Sequence, residues 1–144
     1  SIIYDPNIKK NNYNSIRNLK RIKNESDLIF VCINLNKKNI NFINKKFFLE
    51  LKCSPFLINT SRGEVVDEKA LLDALKLNLI RSAAIDVIAG EQKLNLLKND
   101  LVKYSLKYPE KLLITPHIAG LTYQSESRAI EILMELINKQ FKIK

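Results

Sequence analysis

An arginine, a histidine and three acids in this chain of 144 residues stand at or just beyond the ends of short apolar runs. Arg62 follows Phe56-Leu57-Ile58 and the polar stretch Asn59-Thr60-Ser61, and Gly63 comes next. An apolar run too short for a helix that stops abruptly in polar residues reads as a buried parallel strand reaching its carboxyl edge. Ligands of open α/β sheets bind at that edge, where a guanidinium can hold an anion through its planar fork of donors. An arginine in a turn is equally a solvated surface residue. Asp86 lies in a second run, small and apolar, from Ile80 to Val87, which delivers it to the same rim. His117, the only histidine, lies beyond a third run, Leu112 to Thr115. A lone histidine is more often structural than catalytic, but one on a rim shared with an arginine has a proton to give or take. Asp5 ends the run Ile2-Ile3-Tyr4, where an acid can accept from a ribose hydroxyl, although Asp5-Pro6 is also an ordinary turn. Glu91, in a loop opened by Gly90, reads by itself as a solvated acid.

The elements that must hold these residues follow from local pattern. Asp67 is a good N-cap and Glu68 adds charge to a first turn. Ala70, Leu71, Ala74 and Leu75 then make one helical stripe, and Asn78 stops it. Two successive βα units therefore bring Arg62 and Asp86 to one edge of a parallel sheet, so the fold class is α/β. Lys9 to Lys23 is polar and weakly periodic, enough for a short helix and a poor edge strand. Leu28 to Ile33 reads as a buried strand, and Asn44 to Lys52 as a short helix with Phe47, Phe48 and Leu51 on its apolar side. Leu94 to Tyr108 has the spacing of one helix, ended by Pro109. Thr122 can cap a final helix on which Ile130, Leu133, Met134, Ile137 and Phe141 share a face, a pattern that predicts core packing.

Three stretches, taken in order, resemble successive signatures of the D-isomer-specific 2-hydroxyacid dehydrogenases, the family that includes D-3-phosphoglycerate dehydrogenase. They are Asn59-Thr-Ser-Arg-Gly-Glu-Val-Val-Asp, Ser82-Ala-Ala-Ile-Asp-Val-Ile-Ala-Gly-Glu-Gln and Leu113-Ile-Thr-Pro-His-Ile-Ala-Gly. The resemblance covers nearly the whole chain. It implies a Rossmann-like parallel sheet flanked by helices and an NAD-dependent oxidoreductase acting on a D-2-hydroxy acid/2-oxo acid pair, similar to phosphoglycerate dehydrogenase. The roles it implies are catalytic for Arg62, Glu91 and His117. It implies cofactor contacts at Asp5, Cys32, Thr60, Ser61, Arg62, Asp86, His117, Ala119 and Gly120. In the implied mechanism Arg62 grips the carboxylate and carbonyl, His117 moves the proton, and Glu91 orients the imidazole through its other nitrogen. Cys32 stands where the family often has His, Asn34 where it usually has Pro, and Gln92 replaces another usual Pro.

A glycine-rich phosphate loop is expected roughly 20 residues before the ribose-binding acid. Only four residues precede Asp5, and the three glycines, Gly63, Gly90 and Gly120, do not form such a loop. The expectation is that residues 1–144 are one partial dinucleotide-binding domain, lacking the first strand, the glycine-rich loop and the substrate domain. Its last helix would lead back towards that substrate domain. Such a chain is expected to be inactive by itself; the alternative is a non-catalytic NAD-binding or regulatory relic of the enzyme. The complete enzyme is expected to be a homodimer, with the helices at Leu71 and Ile130 as candidates for the contact.

Composition narrows the classes further. A formal charge of +9 raises nucleic acid as a partner, but the lysines are scattered among Asn and Ile rather than clustered into a footprint, so none is expected. Cys32 and Cys53 are too few and too far apart for a zinc site or a disulfide framework, which fits a reducing compartment and no metal. No apolar run approaches the roughly 20 residues needed to span a bilayer, so a soluble cytoplasmic protein with no membrane partner is expected.

Overall fold

The computed structural model describes residues 1–5, 15–16, 18–91 and 95–141. Its centre is a parallel sheet of four strands laid out in chain order. These are β3 (Leu28–Val31), β4 (Phe56–Asn59), β5 (Ser82–Ile85) and β6 (Leu112–Ile114). Leu28 pairs with Phe56, Phe56 with Ser82, and Ala83 with Leu112, so all four carboxyl ends lie on one edge. β1 (Ile3–Tyr4) and β2 (Ser15–Ile16) pair with each other, also in parallel, as a separate two-stranded sheet. Among the described residues no helix is long and apolar enough to cross a membrane.

Alternation along the strands decides where the core lies. Ile29 and Val31, Leu57, Ala83 and Ile85, and Leu112 all point to one face. There they meet Phe47 and Phe48 of α2 (Lys45–Leu49), Ala70, Leu71, Ala74 and Leu75 of α3 (Glu68–Lys76), and Leu101 of α4 (Asp100–Lys107). The expected starts and stops appear where the chemistry placed them. Asn44 accepts from Phe47 N and Asp67 from Ala70 N, each satisfying an orphan donor of the first turn. Asn78 takes a left-handed φ of 54° just past α3. A short α1 (Lys20–Glu25) precedes β3, and a 3-10 turn at Gly63–Val65 links β4 to α3.

Three expectations need correction. The strands are not buried on both faces: Phe30 is 60% exposed and Leu113 57%, with Leu28 and Phe56 also open on the face opposite α2 to α4. The segment from Leu94 to Tyr108 is not one helix. Within it, Leu96–Lys98 form a 3-10 turn and Asn99 starts α4 afresh by accepting from Leu101 N and Val102 N; Leu94 lies outside the described residues. The side chain of an Asn competes with the helix ladder, and here it wins. Finally, α5 (Tyr123–Phe141) is helical as expected but has no buried residue. Ile130 is 62% exposed, and Leu133, Met134 and Phe141 are exposed too, while Ile137 is half-buried, so this apolar stripe packs into no core built by the described residues.

Candidate functional site at the carboxyl edge of the sheet

Each of the three neighbouring strands β4, β5 and β6 hands a different group to the edge. Beyond β4, the buried Asn59 shapes the turn that presents Arg62. Its amide oxygen accepts from Ser61 N (3.0 Å) and Ser61 Oγ (2.8 Å), and its amide nitrogen donates to Arg62 O (3.1 Å). This is an Asx turn, in which a side chain stands in for backbone. Arg62 itself is exposed, with Nη1 on Ser61 O at 2.7 Å and no other side-chain hydrogen bond among the described residues.

Beyond β6 the chain makes a strained turn. His117 has φ of 56°, in the left-handed region that few side chains visit. What holds it there is Asp86 at the end of β5. That buried carboxylate accepts from Thr115 Oγ1 (2.5 Å), Ile118 N (2.9 Å) and Ala119 N (2.8 Å), residues on both sides of His117. Burial by itself pushes the Asp86 carboxyl up. The hydrogen bonds from Thr115, Ala119 and Ile118, with the adjacent His117, outweigh it and leave the group below the ordinary carboxylate value. Asp86 therefore ties down the His117 turn, and its oxygens, like Ala119 N, already have partners within the chain.

The loop after β5 supplies Glu91, whose Oε1 lies 2.5 Å from His117 Nδ1. An ionised carboxylate only accepts, so Nδ1 is the donor and Nε2 is left as the nitrogen available to a ligand. Glu91 Oε2 accepts from Ile88 N at 3.4 Å. The acid that reads from sequence as solvated is thus the hydrogen-bond partner of the single histidine. Thr60, Cys32 and Gly120 are exposed, and Asp5 follows β1 directly. A cleft of about 860 Å³ lies elsewhere, between α3 and α4 near Asn78 and Lys111, and contains none of these groups.

A family model described as the D-isomer specific 2-hydroxyacid dehydrogenase, NAD binding domain, matches residues 1–119. The chain belongs to this family. Its sheet is the Rossmann-type sheet of those dehydrogenases, and the cofactor of the family domain is NAD. An aromatic 2-oxoacid reductase of Clostridium sporogenes is 32% identical over 145 residues, covering 96% of this chain and 43% of the relative. An erythronate-4-phosphate dehydrogenase of Bacteroides fragilis is 34% identical over 130 residues, covering 87% and 34%. The crystal structure of D-lactate dehydrogenase with NAD+ from Lactobacillus jensenii superposes with a TM-score of 0.76 at 31% identity, covering 93% of this chain and 43% of that one. The chain spans less than half the length of these relatives.

The groups on this family sheet fit a dinucleotide in part. Exposed Thr60, Arg62 and His117 offer polar atoms at one strand edge, as a cofactor and its substrate require. Ala119 N is already engaged by Asp86 Oδ2, so the first service of Asp86 within the chain is to hold the turn around His117. Sequence reasoning passed over Asn59, Thr115, Glu64 and Asn99 and took Glu68 only as a first-turn acid. An Asn at a strand end is a legible turn signal; the other four act through contacts about 30 positions away in sequence, which local pattern does not encode.

Proposed function

We propose that this chain supplies the proton-transfer and substrate-gripping groups of an NAD-dependent oxidoreductase acting on a D-2-hydroxy acid/2-oxo acid pair. The observation that carries this reading is the Glu91–His117 pair, 2.5 Å apart, on the strand edge that also presents Arg62. A 2-oxo acid brings a carboxylate beside a carbonyl. Arg62 grips those oxygens with its remaining guanidinium donors. The nicotinamide, when bound, supplies or receives the hydride at the carbonyl carbon. His117 Nε2 gives a proton to the carbonyl oxygen in reduction and takes it from the hydroxyl in oxidation. Glu91 holds the ring by Nδ1 and offsets the imidazolium charge. Asp5 accepts from the adenosine ribose, where its charge repels a 2′-phosphate and favours NAD over NADP.

Substrate choice is proposed only to the level of the 2-oxo acid. D-3-phosphoglycerate is one candidate by resemblance, while the names of the relatives point to aromatic 2-oxo acids and to erythronate 4-phosphate. A homodimer belongs to the same reading. Ile130 on α5 is available for such a contact, whereas Leu71, at 1% exposure, belongs to the core and is not.

The test uses the complete protein that carries this chain, with NADH and a panel of 2-oxo acids. Reduction of at least one of them is expected, faster with NADH than with NADPH. His117→Gln should cost roughly a hundredfold to ten-thousandfold in kcat, the range typical of a lost general acid. Near-normal turnover in that variant overturns the assignment. Cofactor binding with turnover of no 2-oxo acid would instead mark a non-catalytic cofactor-binding protein.

A further inference from the structure

Glu91 is only as well placed as the loop that carries it, and that loop is held from outside. Two carboxylates of the preceding connection take its backbone donors: Glu68 Oε1 accepts from Ala89 N at 2.8 Å, and Glu64 Oε1 from Gly90 N at 3.1 Å. Glu68 Oε2 accepts in addition from Asn99 Nδ2 at 3.3 Å, and the oxygen of that same Asn99 side chain caps α4. One side chain thus reaches the chain both before and after Glu91. Neither Glu64 nor Glu68 pairs with a Lys or Arg among the described residues, and both turn their carboxylates to this segment. An acid in the first turn of a helix ordinarily serves its own helix end. Glu68 instead spends its best hydrogen bond on a loop 21 positions away.

We propose that Glu68 is a positioning residue for the Glu91–His117 pair: by fixing Ala89 N and Asn99 it sets the loop so that Glu91 Oε1 meets His117 Nδ1. The inference rests on the reading of that pair as the proton-transfer device. Hydrogen bonds to a charged acceptor are the strong class, and two of them on one carboxylate fix the loop at two points rather than one. Loss of the tether releases the loop at Ala89 N and at Asn99, and His117 Nδ1 loses its fixed acceptor.

His117 is the only histidine, so its two ring nitrogens give unambiguous ¹⁵N signals in a spectrum of the 144-residue chain, and these report which nitrogen carries the proton. Glu91→Ala defines the signals of the released ring. Glu68→Ala is expected to move both nitrogens to that same position, while Glu68→Gln, which keeps an acceptor oxygen for Ala89 N but sets a donor against Asn99 Nδ2, should move them only part of the way. Glu68→Asp keeps the charge in the first turn of α3 but is one methylene shorter; it should behave as Glu68→Ala and serves as the readout if Glu68→Ala does not fold. Native signals in Glu68→Ala or Glu68→Asp, with Glu91→Ala shifted, overturn the role of Glu68 and leave the pair intact. Unchanged signals in Glu91→Ala overturn the pair itself.

Discussion

At the scale of single residues, Asp86 has a service in the fold that its place in the sequence does not show: its two oxygens accept from Thr115, Ile118 and Ala119. Its depressed pKa makes a stability prediction with a definite sign. The folded state favours the ionised form, so the contribution of Asp86 is fully present above the ordinary Asp value of about 4 and disappears as pH falls through the lower folded value. Asp86→Asn is expected to cost about 1.5–3 kcal/mol at neutral pH, the worth of a hydrogen bond to a charged group. It should also flatten the loss of stability below about pH 4. Urea midpoints measured between neutral pH and the acid limit check both expectations, and parallel curves for the two proteins would show that Asp86 does not latch the turn.

Elements meet at Gly63, where the turn after Arg62 touches the loop that bears Glu91. A Cβ placed on Gly63 would lie 2.2 Å from Ala89 N and from the carbonyl carbon of Ile88. Both are backbone atoms, so no side-chain rotation relieves the clash. Gly63→Ala should therefore push the β5 loop from the 3-10 turn and cost about 1–3 kcal/mol, as overpacking does. A chemical denaturation midpoint equal to that of the parent would show that the two segments are free to separate. With Glu64 and Glu68 bonding to Gly90 N and Ala89 N, this contact makes the Arg62 turn and the Glu91 loop one assembly.

For the whole molecule, apolar residues divide into those that build the core and those that do not. Leu75 is 1% exposed beneath the sheet, whereas Leu133 on α5 is exposed. Leu75→Ala is expected to cost about 2–5 kcal/mol through lost burial and a residual cavity. Leu133→Ala should stay within about 0.5 kcal/mol, as surface substitutions do. Both are read from denaturant midpoints of the isolated chain at low concentration. Equal losses would mean that α5 folds onto the sheet, where the open face bearing Phe30 and Leu113 is the surface left for it.

Local chemistry alone determined much of this protein. Short apolar runs ending in polar residues located β3 to β6. Asn44, Asp67 and Thr122 marked helix starts through hydrogen bonds that span two or three residues, including Ser125 N to Thr122 Oγ1. The order of three motifs sufficed to place Arg62, Glu91 and His117 in one family. Tertiary structure alone decided what Asp86 and Glu68 hold. Their partners lie more than 20 positions away, and side-chain oxygens carry no local sign of which donor they will meet. It also decided which apolar stripes are covered. Periodicity shows that a helix has an apolar face, but burial depends on what the rest of the fold brings against that face. For α3 the fold brings the sheet, and for α5 it brings nothing from the described residues.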